Sequence, residues 1–187
     1  SSSATVDYVF FSDTEPGSNP AVHRIGWSAS TNGAAAGAYS TYSDTTMDLG
    51  GAPGGDIDST LFVDPVGGRS YFIWKTDDNN AGESSTRIWA QEVALGTDAA
   101  HPAVAQLGPA QVLLDSTGLW WADSWVDGGS LVEGPEMLYQ NGWYYLFFAS
   151  GRFCEGSYAE GVARSRGVLG PFEKMRIPLL STGQVGY

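Results

Sequence analysis

Three stretches of the chain share one pattern, an aromatic and aliphatic run that ends in a polar turn. They are VDYVFFSD from residue 6, RSYFIWKTD from residue 69 and GWYYLFFASG from residue 142. Each run has a tyrosine ahead of its apolar centre, at Tyr8, Tyr71 and Tyr145. Aromatic and β-branched residues suit a pleated, half-buried surface and have low helix propensity. The pattern therefore predicts three strands of the same kind.

A second, more polar strand is predicted after each aromatic run. The three segments are HRIGWSAS from residue 23, TRIWAQEV from residue 86 and YAEGVARS from residue 158. Further strands are predicted at 57–63, 111–115 and 131–138, with turns rich in Gly, Pro, Asn and Asp between the runs. The tyrosines of the aromatic runs are 63 and 74 positions apart. The repeating unit is therefore roughly 65–75 residues long, and we predict that its strands are antiparallel.

A repeating unit of this kind is typical of a β-propeller blade. We predict an all-β fold in which residues 1–187 form a single, partial propeller domain with about three blades. Propellers close with about 4–8 blades, and both ends of the chain look cut. We therefore expect the remaining blades to come from sequence outside this chain or from another chain. An open stack of three sheets or a β-sandwich is the alternative.

The composition narrows the range of partners without identifying one. The formal net charge is −12 and the isoelectric point is about 4.3, so nucleic acid and anionic membranes would be repelled. Two histidines, His23 and His101, and a single cysteine, Cys154, do not supply the ligands of a usual zinc site. No apolar run reaches the ~18 residues that cross a bilayer. We expect no nucleic-acid, membrane or zinc partner.

Two carboxylates are predicted to occupy the same place in successive blades, ahead of two of the aromatic runs. Asp58, in GGDIDSTLFVDP, lies 13 positions before Tyr71, and Glu133, in SLVEGPEML, lies 12 positions before Tyr145. The innermost strand of each blade lines the central axis, so equivalent residues of successive blades converge at one rim. Glycosidic hydrolysis needs a pair of carboxylates, one protonated and one ionised. The pattern therefore predicts a glycosidase site at Asp58 and Glu133.

Other interpretations of the acidic residues stay open. Asp58 could be a turn or capping residue, Asp56 could take its place after a one-residue change of register, and Glu133 could be an exposed rim residue. The run TDDNN at 76–80 has oxygen ligands of the kind that calcium binds. It lacks the spacing of a known calcium loop, which favours a solvated hairpin tip.

Aromatic and cationic residues near these strands are candidates for sugar contacts. The segment GLWWADSW, at 118–125, contains Trp121 and Trp125, whose rings could stack on the apolar C–H faces of a sugar. Arg152 could donate hydrogen bonds to a hydroxyl or a carboxylate. The alternatives are packing between blades for the tryptophans and a surface turn for Arg152.

The segments around these residues resemble glycoside hydrolase family 43. GGDIDSTLFVDPVGGRSYFIWK is similar to the family's IDP.LF.D..G..Y segment, and LVEGPEMLYQNGWYYLFFASG is similar to its EGP....GYYYL.YS segment. YAEGVARSRGVLGPFE and YVFFSDTEPGSNPAVHRIGWSAS resemble two more family segments in the right order, so the resemblance covers most of the chain. It implies a five-bladed propeller that removes arabinose or xylose units from plant cell-wall polysaccharides with inversion.

The resemblance also implies roles for the two carboxylates. Glu133, in the EGP motif, would be the general acid, and Asp58 would be the pKa modulator that keeps the proton of the acid bound. Ser59 stands where the family has proline. The family's general base, an Asp of the first blade, has no counterpart in this sequence. If the 187 residues act alone, we therefore expect no meaningful catalysis.

These observations together predict an extracellular, inverting glycoside hydrolase of the α-L-arabinofuranosidase or arabinanase type. Its partner would be a polysaccharide or oligosaccharide that contains arabinose or xylose. Its chemistry would require no cofactor, although the resemblance raises a structural calcium ion in the propeller channel, with ligands that the sequence does not identify. A β-xylosidase of the same family and a non-catalytic carbohydrate-binding propeller without the general base are the alternatives.

Overall fold

The structure is a computed structural model, and it describes residues 5–19, 21–32, 37–40, 47, 49–50, 52–81, 85–122, 129–153 and 155–182. Its strands are β1 (Asp7–Thr14), β2 (His23–Ser30), β3 (Asp56–Val63), β4 (Ser70–Thr76), β5 (Arg87–Leu95), β6 (Val104–Asp115), β7 (Glu133–Gln140), β8 (Trp143–Ser150), β9 (Ala159–Ser165), β10 (Glu173–Lys174) and β11 (Leu180–Ser181). A short 3₁₀-helix spans Asp78–Ala81. Within these ranges, no helix is long and apolar enough to cross a membrane.

The described strands form three antiparallel sheets, which we call blades 1, 2 and 3. Blade 1 is β1–β2, blade 2 is β3–β4–β5–β6, and blade 3 is β7–β8–β9–β10 with β11 also paired to β9. Tight turns join neighbouring strands. Asn141 and Gly142, for example, both have positive φ (52° and 78°), as a two-residue hairpin turn requires. This architecture confirms the predicted all-β fold of about three blades.

Strand β4 explains why the blades pack face to face. Phe72, Ile73 and Trp74 are consecutive and completely buried, and successive side chains of a strand point to opposite faces. Phe72 and Trp74 join the core cluster shared with blade 1, whereas Ile73 joins the cluster shared with blade 3. An aromatic strand of this kind is stable only with a neighbouring blade on each side, because burying each large side chain contributes about 1.5–3 kcal/mol.

Two hydrogen bonds between blades show which strands correspond. The His23 amide donates to the Gly54 carbonyl over 3.1 Å, and the Thr86 amide donates to the Ser130 carbonyl over 3.2 Å. His23 begins β2 and Thr86 directly precedes β5, so β2 corresponds to β5 and β1 corresponds to β4. In the described part of the chain, the edge of β1 that corresponds to the β3 side of β4 has no paired strand.

Gly54 and Gly55 allow blades 1 and 2 to approach closely. A Cβ atom on Gly54 would lie 1.8 Å from the Asp77 carbonyl oxygen, and one on Gly55 would lie 1.9 Å from the His23 carbonyl oxygen. Gly55 also has a φ of +86°, which glycine adopts without strain. The glycine pair therefore brings the start of β2 and the end of β4 against the start of β3.

Candidate active site

The inner strands β3 and β7 each contain a bulge close to the predicted carboxylates. The register shifts between Ile57 and Thr60 in β3 and between Glu133 and Glu136 in β7. Aligned on these bulges, Ile57 corresponds to Glu133. Asp58 corresponds to Gly134, and both have a φ of 56°. The prediction that Asp58 and Glu133 hold the same position in successive blades is therefore wrong by one residue.

The one-residue offset still brings both carboxylates to one rim. The Gly134 amide donates a hydrogen bond to Asp58 Oδ2 over 3.1 Å, directly beside Glu133 in the chain. Two residues further along each strand, Thr60 Oγ1 donates to Glu136 Oε2 over 2.9 Å. Asp58 therefore reaches from blade 2 to the backbone of the strand that carries Glu133, as the convergence argument requires.

Glu133 is held by two donors, Lys75 of β4 and Tyr158, which directly precedes β9. Its side chain is 16% exposed, the Tyr158 hydroxyl donates to Oε1 over 2.7 Å, and the Lys75 ammonium lies 3.4 Å from Oε2. Burial raises the pKa of the Tyr158 phenol well above its usual value, and its hydrogen bond to Glu133 and the charges of Glu133 and Asp58 raise it further. Tyr158 therefore remains a donor, and both carboxylates act on it at short range.

Lys75, Asp77 and His23 complete a polar chain that the sequence analysis did not find. Lys75 is 1% exposed, and its ammonium donates to Asp77 Oδ1 over 3.1 Å. The other carboxylate oxygen of Asp77 lies 2.8 Å from His23 Nδ1. The signal was a lysine at the end of a buried aromatic strand, in FIWKTD, where a charge is expected only with partners.

Asp56, the alternative to Asp58, lies in a different environment. It is 3% exposed and accepts a hydrogen bond of 2.9 Å from Trp74 Nε1, on the side of β4 that faces blade 1. Burial raises the pKa of Asp56 to about 6, opposed by the Trp74 hydrogen bond and the charge of Arg24. Asp56 is thus turned towards the core, and Asp58 is the residue that contacts the strand of Glu133.

The predicted sugar-contact residues differ in their burial and in their contacts. Trp121 is 6% exposed and stacks on Phe148, with 5.8 Å between ring centroids, while its neighbour Trp120 is largely exposed. Arg152 lies in the turn after β8 and pairs with Glu155 over 3.4 Å. Trp125 lies outside the described residues. A sugar contact for Trp121, Trp125 or Arg152 stays a prediction.

The described residues do not fit a metal centre. No group of three or more His, Cys, Asp or Glu side chains among them could hold a metal ion. In the TDDNN run, Asp77 is already engaged by Lys75 and His23, while Asp78 Oδ1 and Asn79 Oδ1 are buried without a hydrogen-bond partner. One charged oxygen and one amide oxygen are too few for calcium, which takes 6–8 oxygen ligands. We therefore assign no metal to this site.

Three solved structures are similar in fold to this chain. The chain matches a thermostable family-43 glycoside hydrolase with a TM-score of 0.70 and 21% identity, over 93% of this chain and 52% of that one. An endo-arabinase from Bacteroides thetaiotaomicron matches with a TM-score of 0.70 and 19% identity, over 93% and 58%. A xylan β-1,4-xylosidase from Bacillus halodurans matches with a TM-score of 0.65 and 24% identity, over 96% and 30%.

These likenesses establish the fold, and the chain spans about half the length or less of the first and third of these structures. No curated protein matches the sequence. The family model of glycosyl hydrolases family 43, in contrast, matches residues 8–184, nearly the whole chain. Together with the carboxylates brought to one rim by neighbouring inner strands, this match identifies the chain as a member of glycosyl hydrolases family 43.

Proposed function

We propose that this chain carries the acid side of an inverting glycosidase site, with Glu133 as the general acid and Asp58 as its modulator. The observation that carries the proposal is the position of Asp58. Its carboxylate accepts the hydrogen bond of the Gly134 amide, one residue from Glu133, although the two residues come from different blades. Neighbouring strands thus supply a carboxyl that can give a proton and a second carboxylate beside it, an arrangement that favours acid catalysis of glycosidic hydrolysis.

In this mechanism Glu133 gives its proton to the glycosidic oxygen as the bond from that oxygen to the anomeric carbon breaks. Tyr158 donates to Oε1 over 2.7 Å, whereas the Lys75 ammonium is 3.4 Å from Oε2, so we assign the transferable proton to Oε2, the less tightly held oxygen. Asp58 remains ionised nearby and disfavours a second negative charge, which keeps the proton on the acid until the substrate binds. Inversion needs a base on the opposite face of the sugar, about 6.5–9.5 Å from the acid. Our assignment covers the acid and its modulator only.

The substrate class that we propose is an α-L-arabinofuranosyl linkage, in a polysaccharide or oligosaccharide that contains arabinose. The likeness to an endo-arabinase supports this choice. A β-xylosidase activity is the second candidate, and the likeness to a xylan β-1,4-xylosidase favours it. Because we expect no catalysis from the 187 residues alone, the activity assays use the full-length protein with its remaining blades, and hydrolysis of nitrophenyl α-L-arabinofuranoside compared with nitrophenyl β-D-xyloside distinguishes the two. Proton NMR of the first product formed reports whether the anomeric configuration is inverted.

Replacement of Glu133 by Gln tests the proposed general acid. Glu133→Gln should lower kcat/KM at least about 100-fold on an unactivated arabino-oligosaccharide, because the leaving oxygen is no longer protonated. Glu136→Gln is the matched control, since Glu136 lies three residues along the same strand and is bonded to Thr60. Its rate should stay close to that of the wild type. An equal loss in both variants, or none in Glu133→Gln, contradicts the assignment.

The non-catalytic alternative makes a separate prediction. If the propeller only binds carbohydrate, calorimetric titration of the full-length protein with arabino-oligosaccharides will show binding to the wild type without any turnover. If the proposed function is correct, Glu133→Gln binds the oligosaccharide with an affinity near that of the wild type but no longer hydrolyses it. Turnover that depends on Glu133 excludes the binding-only alternative.

A further inference from the structure

The position of Lys75 follows from the alternation of β4. Phe72 and Trp74 point to blade 1, so Ile73 and Lys75 point to blade 3. Lys75 is 1% exposed, and its ammonium lies between Asp77 and Glu133. A buried ammonium strongly destabilises a fold unless it is paired. The ion pairs with both carboxylates therefore hold Lys75 at a fixed place at the contact between blades 2 and 3.

Asp77 is held at least as firmly as Lys75. Its amide donates to the Gly55 carbonyl over 2.8 Å, and its carboxylate contacts both His23 Nδ1 and the Lys75 ammonium. Other charged groups lie near this cluster. The charge of Asp77 acts on Asp56, as do the charges of Arg24 and Asp78. Asp77 lies 3.1 Å from the Lys75 ammonium and Glu133 lies 3.4 Å from it, so Asp77 is the partner that balances the positive charge when Glu133 is protonated.

We propose that Lys75 is a positioning residue for Glu133, and that Asp77 sets how strongly the charge of Lys75 acts on the general acid. This inference rests on the proposed function of Glu133. When the Glu133 proton passes from Oε2 to the glycosidic oxygen, Oε2 becomes negative and attracts the ammonium more strongly than before. Lys75 therefore stabilises the transition state more than the ground state, which is the condition for a contribution to rate.

The inference predicts opposite shifts of the pH–rate profile. Lys75→Met removes a positive charge that lies 3.4 Å from the Glu133 carboxylate, so the alkaline limb of kcat/KM should move to higher pH. Asp77→Asn leaves the Lys75 charge unbalanced, so the same limb should move to lower pH. The other groups that face Glu133, Asp58 and Tyr158, are unchanged in both variants. A purely structural role for Lys75 and Asp77 would not give shifts of opposite sign.

The leaving group provides a second readout. Lys75→Met should lose more of its rate on an unactivated arabino-oligosaccharide than on the nitrophenyl arabinofuranoside, because a good leaving group needs less protonation. Lys174→Met is the matched control, since Lys174 pairs with Asp115 and lies on β10, which β9 and β8 separate from the Glu133 strand β7. It should leave both the profile and the leaving-group dependence as in the wild type. Shifts of the same sign in Lys75→Met and Asp77→Asn, or no shifts, overturn the inference.

The contact can also be tested without catalysis, in case Lys75→Met does not fold. The chain has two lysines, Lys75 and Lys174, so ¹⁵N-lysine labelling gives two ammonium signals, and the Lys174→Met variant assigns them. The Lys75 signal should move when Glu133 is replaced by Gln, while the Lys174 signal should not. A Lys75 signal that ignores this replacement overturns the inference.

The two proposals fail in different ways. Turnover that is unchanged in Glu133→Gln contradicts the proposed function, whatever the ammonium signals show. Turnover that depends on Glu133 but whose pH profile ignores both Lys75 and Asp77 contradicts the positioning role alone.

Discussion

The burial of Asp56 lowers the free energy of unfolding at neutral pH. It is 3% exposed, and burial is the main reason that its pKa rises from 3.8 to about 6. The folded state therefore binds this proton more tightly than the unfolded state does. The resulting stabilisation is complete below the unfolded pKa and is lost as the pH rises through about 6. At neutral pH the ionised carboxylate lowers the stability of the fold.

Replacement of Asp56 by Asn should stabilise the protein, and more so at high pH. Asn keeps an oxygen that accepts the Trp74 hydrogen bond but carries no charge. The gain in unfolding free energy over the wild type should be larger at pH 8 than at pH 5 by about 1 kcal/mol. Urea unfolding of both proteins at the two pH values measures it. A gain that does not change with pH would show that Asp56 is not the titrating group.

The turn between β3 and β4 connects blade 2 to blade 3 through one hydrogen bond. Asp64 is buried and accepts from the amides of Val66 and Gly67 and, over 2.8 Å, from the Tyr144 hydroxyl of β8. Burial raises the pKa of Asp64, but the hydrogen bonds from Val66, Tyr144 and Gly67 outweigh it and lower the pKa below its usual value. Burial and the same bond raise the pKa of Tyr144 to about 12. The pair therefore stays a phenol and a carboxylate at neutral pH.

Removal of the Tyr144 hydroxyl should loosen this connection without creating a large cavity. Tyr144→Phe should destabilise the protein by about 1.5–3 kcal/mol at pH 7, since the lost hydrogen bond is to a charged group. Because the pKa of Asp64 is lowered on folding, the loss should shrink as the pH falls below the usual range of an Asp. A double-mutant cycle with Asp64→Asn measures the coupling. Additive effects of the two replacements would contradict a direct bond.

The repeating pattern of the strands could be read from the sequence, and the local register at the site could not. Aromatic alternation predicted β4 and β8 and, through them, the meeting of Asp58 and Glu133. The bulges in β3 and β7 show that Asp58 and Glu133 are offset by one residue. The same offset is the difference between their spacings of 13 and 12 positions from Tyr71 and Tyr145. A bulge depends on backbone pairing with the neighbouring strand, so side-chain pattern alone does not locate it.

Lys75 escaped the sequence analysis for a different reason. Its partner Asp77 is two residues away, but Glu133 is 58 positions away and on another sheet. The neighbouring sequence does not show whether a lysine at the end of a strand is solvated or is buried by the next blade. Trp121 is a second example. The sequence left both a sugar contact and packing between blades open for it, and the structure buries its ring against Phe148.

At the scale of the whole molecule, the imbalance of charge is the main electrostatic feature. The sequence has 21 acidic and 9 basic residues, and a large net charge of one sign destabilises a compact state through self-repulsion. Salt screens this repulsion over a Debye length of about 3 Å at 1 M, against about 30 Å at 0.01 M. The stability of the protein should therefore depend on ionic strength.

Sodium chloride should raise the thermal stability of the protein. Between about 0.01 M and 1 M, Tm should rise by a few degrees, as measured by circular dichroism at pH 7. The chloride salt is used because sulfate also strengthens apolar burial. A Tm that falls as salt is added would show that attractive pairs, such as Lys75 with Asp77, outweigh the general repulsion.

The division of the polar chain among blades has a practical consequence. Glu133 and Tyr158 belong to or adjoin blade 3, Lys75 and Asp77 come from blade 2, and His23 comes from blade 1. Under the proposed function, proton delivery to a bound sugar would depend on the contacts between sheets rather than on any one sheet. A small separation of two intact blades should then abolish the activity that depends on Glu133 and leave the circular dichroism of the strands unchanged.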